Sequence, residues 1–124
     1  MSGGTVRLVA RLLVVALSIG VAGSRALGAD PDCAGIDRWP TNMAFVHLKN
    51  AGITTNDKVD FTKTRTTRLA SQRIGKDLYR QVHRVIFTEK SGREIEVITV
   101  SDASHDECSM GGVDVFVVAK HLGG

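Results

Sequence analysis

An α+β domain, one short helix packed on a mainly antiparallel sheet of three to four strands with one disulfide, is the fold class this sequence predicts. Three observations point to it. A single helix-patterned stretch comes first, and β-rich segments joined by short polar connections follow it. Two cysteines, Cys33 and Cys108, bracket nearly all of that pattern. The chain shows no repeat, low-complexity tract or linker that would divide residues 30–124 into two domains.

Residues 1–29 read as a cleaved secretory signal peptide. Arg7 and Arg11 supply the positive start, Leu12 to Gly23 an uncharged apolar run, and Ala26 to Ala29 small residues suited to cleavage. The run is too short for a membrane anchor, which needs ~20 predominantly apolar residues. No second stretch approaches that length, so no transmembrane segment is expected in the mature chain. Asp30-Pro31-Asp32 ahead of Cys33 does not suit a lipid-attachment site. The expected location is therefore periplasmic or extracellular.

Loss of the signal changes the charge. The full chain has 16 Lys and Arg against 13 Asp and Glu. Arg7, Arg11 and Arg25 leave with the signal, while every acid lies at Asp30 or later. The remainder is balanced, so the basic character of the precursor is no argument for nucleic-acid binding, and none is expected.

In an exported chain two cysteines have one intramolecular pairing, Cys33 with Cys108. No Cys-x-x-Cys motif suggests redox work. A loop of that length contributes about 4 kcal/mol in the chain-entropy account.

The elements follow in order. Residues 30–38 form a polar lead-in. Met43 to Gly52 has helical spacing of Ala44, Phe45, Leu48 and Ala51, with Pro40 suited to a first turn and Gly52 to a stop. Ile53 to Asp60 is a connection. Phe61 to Ser71, rich in threonine with period-two polarity, is a partly exposed strand, and Gly75-Lys76-Asp77 interrupts it. Residues 78–89 carry both helical and strand spacings. The β-branched and aromatic run Val85-Ile86-Phe87-Thr88 favours strand, with a hairpin turn at Lys90-Ser91-Gly92. Arg93 to Val100 is its partner, residues 101–112 a polar loop, and Val113 to Val118 a last strand. His83 shares a strand face with Val85 and Phe87 and is expected to be a partly buried structural residue.

Two candidate sites emerge. The first is the 101–112 loop, where Asp102, His105, Asp106 and Glu107 gather around Cys108. It would offer negative charge to a basic protein partner. Its spacing matches no EF-hand, and one histidine is thin for zinc, so no metal or cofactor is expected. Ser101, Ser104, Asp102 and His105 are triad residue types, yet no Gly-x-Ser-x-Gly elbow accompanies them.

The second site is a basic strand face, Arg65, Arg80 and Arg84. From Lys63 to Arg93 nine bases face only Asp77 and Glu89. From Glu94 to Asp114 lie six acids and no base. Cross-strand pairing would absorb much of this segregation. Together these features suggest a small exported non-catalytic binding module acting through a protein partner, with an inhibitor or immunity protein as the concrete form. The alternatives are an envelope-associated anion binder using the basic face, and a small hydrolase using the loop.

Overall fold

The computed structural model describes residues 3–4 and 29–123, so the expected signal peptide lies almost wholly outside the described residues. One helix, α1 (Trp39–Asn50), is followed by four strands: β1 (Arg65–Gly75), β2 (Leu78–Thr88), β3 (Glu94–Ala103) and β4 (Asp114–Val117). They form one antiparallel sheet in the order β1-β2-β3-β4. Every strand therefore pairs with its neighbour in sequence, as short connections require. Among the described residues no helix is long and apolar enough to cross a membrane.

The helix starts earlier than the apolar spacing indicates, at Trp39, because Pro40 is pre-set for the first turn. It ends in a Schellman motif. Gly52 sits at φ +73°, its N–H donates to the Lys49 carbonyl, and the Ile53 N–H donates to the Leu48 carbonyl. Phe61 to Lys63 is not strand but a 3-10 turn, because the Asp60 carboxylate accepts from the Thr62 N–H at 3.1 Å and closes it. The first strand instead extends to Gly75 by pairing with Leu78, and a two-residue turn at Lys76-Asp77 follows. Asp77 takes φ +48°, a conformation its short polar side chain tolerates. The strand reading of residues 78–89 holds. The third strand runs on to Ala103, since Asp102 and Ala103 pair with Arg80 and Tyr79, which takes residues 101–103 out of the loop.

The inner face of the sheet has two unlike halves. Under α1, Ala44 and Leu48 pack on Val85, Phe87, Ile95 and Val97, with Val59 closing the side. The Phe45 ring meets Phe61 edge-on at 4.9 Å and Phe87 at 5.8 Å. Further along β2 and β3 the same face turns polar. His83 lies opposite Thr99 and Gln81 opposite Ser101, all buried. Residues 29–33, here called the strap, serve as the lid of this polar half. Cys33 ties the strap to Cys108, across 75 residues of chain with Cα atoms 5.7 Å apart, as the cysteine count implies. A disulfide is consistent with an exported protein.

Replacing Cys33 and Cys108 together by serine should cost about 4 kcal/mol in a urea unfolding experiment. A loss near zero would mean that the strap is held by its other contacts.

Candidate functional site

The strap is gripped through its main chain. The Gln81 amide donates to the Pro31 carbonyl at 2.8 Å, and Arg68 donates to the same carbonyl at 3.2 Å. The His105 ring reaches the Ala29 carbonyl through Nε2 at 3.1 Å. Its Nδ1 bonds Asp77, which also accepts from the His105 backbone N–H at 3.1 Å. The Tyr79 ring stands edge-on to the imidazole at 5.2 Å. With an acceptor at each ring nitrogen, the imidazolium is favoured. Its bond to Asp77, then that to Ala29, raises the His105 pKa, and the same contact lowers that of Asp77.

Beneath the strap the balance is opposite. His83 is fully buried, and neither ring nitrogen has a hydrogen-bond partner among the described residues. Gln81 Oε1 and Thr99 Oγ1 are in the same condition. Burial, reinforced by the Arg68 charge and opposed by Asp32, lowers the His83 pKa to about 4. His83 is more deeply buried than its strand position implied.

The acidic loop residues do not converge. Asp102 is on the outer face of β3, where its carboxylate accepts from Arg80 at 3.0 and 3.3 Å. His105 turns instead to Asp77 and the strap. Glu107 accepts from the Ser109 hydroxyl at 2.6 Å, and Asp106 is exposed. Ser101 is buried on the face opposite Asp102, so the triad residue types point apart. Among the described residues no group of three His, Cys, Asp or Glu side chains is placed to hold a metal ion.

Arg65, Arg80 and Arg84 do share the outer face, and each has a carboxylate: Glu94 at 3.1 Å, Asp102 at 3.0 Å and Glu96 at 3.0 Å. Between them lie Val82, Ile86, Ile98 and Val100, with Phe116 57% exposed at the β4 side. Arg93 likewise pairs with Glu89, a buried carboxylate that also accepts from Thr54. The basic run read from the sequence is therefore two populations. Among the described residues Lys63, Arg68, Arg73, Lys76 and Lys90 have no carboxylate within ion-pair distance; the first four border or belong to β1, and Lys90 lies in the turn between β2 and β3. Among the described residues Arg68 and Arg73 bond backbone carbonyls only.

β1 is the surface the sequence left unmarked. It runs 11 residues, and nine of them are exposed. It is an edge of the sheet, broken by irregularities at Arg68/Ala70 and Arg73/Gly75, with Leu69 54% and Ile74 41% exposed. The threonine-rich pattern signalled exposure, but only the strand order reveals the free edge. No protein-family model matches the chain, and neither curated proteins nor solved structures match it.

The two histidines set opposite pH dependences. Unfolded histidine binds its proton near 6.5, whereas folded His83 binds it only near 4. Stability from the neutral ring is complete above pH 6.5 and drains away as pH falls to about 4, by about 3 kcal/mol in all. His105, with its raised pKa, adds stability below 6.5 that is lost as pH rises through the folded value. His83→Leu should flatten the acid limb of stability measured by urea unfolding, and His105→Ala should not. An acid limb unchanged in His83→Leu would contradict this assignment.

Proposed function

We propose that the chain is a small exported, non-catalytic binding module that acts through a protein partner, in the manner of an inhibitor or immunity protein. The observation that carries this reading is β1. A strand with nine of its 11 residues exposed adds little to the core, yet pairing along nearly its whole length holds it in extended form. Protein-binding surfaces are commonly carried in this way, by an element held rigid on a scaffold. Its exposed Leu69 and Ile74 supply apolar contacts, and the neighbouring outer face supplies more around Phe116. The neutralised arginines of that face favour this reading over an anion binder built on Arg65, Arg80 and Arg84.

The test uses exported proteins from the source of the chain. A partner should bind saturably in a defined ratio. The double substitution Leu69→Asp and Ile74→Asp should weaken that binding at least about tenfold, or ~1.4 kcal/mol, with thermal unfolding unchanged. Full affinity in the double variant would remove β1 from the account.

A further inference from the structure

The structure points to the chemistry of that partner: we propose that the free edge of β1 receives an extended acidic segment of another protein as a fifth strand. This rests on the protein-binding reading above and narrows it to one surface and one kind of ligand.

The two edges of the sheet differ. β4 is 4 residues long, and beyond it the Val118 N–H continues the pairing by donating to the Glu96 carbonyl at 2.9 Å. β1 is 11 residues long with no neighbour on its outer side among the described residues. Such an edge presents a row of backbone donors and acceptors, the template to which an added strand pairs. Its charge selects the occupant. Among the described residues Lys63, Arg68, Arg73 and Lys76 lie along or beside the strand with no carboxylate within ion-pair distance, and the acids nearest in sequence, Asp60 and Asp77, stand at its two ends. A basic or neutral segment would leave that charge uncompensated, whereas alternating Asp or Glu side chains would meet it. Leu69 and Ile74 add apolar contact for the intervening side chains.

The strap gives an internal parallel. Asp30-Pro31-Asp32 is itself acidic, and Arg68 and Gln81 grip it through its carbonyls. Lysines, arginines and bulges on edge strands also deter self-association between copies. A set of cations in excess of nearby acid performs that task against another β1 and at the same time favours an acidic strand. An anionic membrane would satisfy the charges but not the alternating backbone groups, so a peptide is the occupant these features favour.

The experiment is an NMR titration of the purified protein with a capped peptide of alternating glutamate and valine, about ten residues long. Amide shifts should move along residues 65–75, and the affinity should fall about tenfold between low salt and ~0.5 M salt. The variant Lys63→Glu, Arg73→Glu, Lys76→Glu should lose the shifts while its thermal unfolding stays that of the parent. A peptide of alternating lysine and valine should not bind. Shifts confined to the outer face or to residues 104–112 would overturn the inference, as would absence of any shift at millimolar peptide. Equal binding of the lysine peptide would do the same, and so would binding to anionic phospholipid vesicles with none to the peptide. In each of those outcomes a partner still lost by the Leu69→Asp, Ile74→Asp variant would leave the protein-binding reading in place.

Discussion

The closure of the strap over a polar half-sheet is the constraint on which the rest of this structure depends. The half beneath α1 holds by ordinary means. Leu48, Val85, Phe87 and Val97 are essentially out of water, and each such side chain contributes roughly 1.5–3 kcal/mol on burial. The half beneath the strap holds a smaller apolar reserve in Tyr79, Ala103 and Cys33. It buries His83, Gln81 and Thr99, and four of their polar atoms lack a partner among the described residues. Each atom of that kind costs about 1–3 kcal/mol. The strap's own hydrogen bonds offset part of this, and the disulfide tethers the strap in place.

From that closure comes the freedom of β1. With the strap and α1 covering β2 and β3, the core is complete without the first strand, whose side chains are left to solvent. The strap even recruits Arg68 and, through His105, Asp77 at the β1–β2 turn, so the edge is steadied at two points without being covered. On the other side of the sheet, Arg65, Arg80 and Arg84 meet Glu94, Asp102 and Glu96. Exposed pairs of this kind add little stability, about 0–1 kcal/mol each. Their larger effect is on the charge map: they neutralise the outer face, while Lys63, Arg68, Arg73 and Lys76 along the edge have no carboxylate within ion-pair distance among the described residues.

Period and composition made most of this fold legible. Val85-Ile86-Phe87 decided the second strand against its helical spacing, and the two cysteines identified the clamp. What depended on distance along the chain was not legible. Asp77 and His105 are 28 residues apart, and nothing local to either announces their pairing. The polar loop appeared to begin at Ser101 because Ser and Asp break an apolar pattern, yet Asp102 belongs to the sheet by facing Arg80. The basic run was visible as a run. Its division into paired and unpaired members follows from which carboxylates the folded sheet brings near each base: Asp102 and Glu96 of β3 face Arg80 and Arg84 on the neighbouring strand, and Glu94 is reached by Arg65 from β1. The strand order that decides this is a property of the whole sheet, absent from any window of residues.

Hydrogen exchange on the oxidised and the reduced protein tests the strap most directly. Reduction should raise exchange at Gln81, His83, Thr99 and Ser101, and at residues 29–33, while Val85, Phe87, Ile95 and Val97 keep their protection. Equal loss of protection in both halves, or no loss in the polar half, would contradict the account.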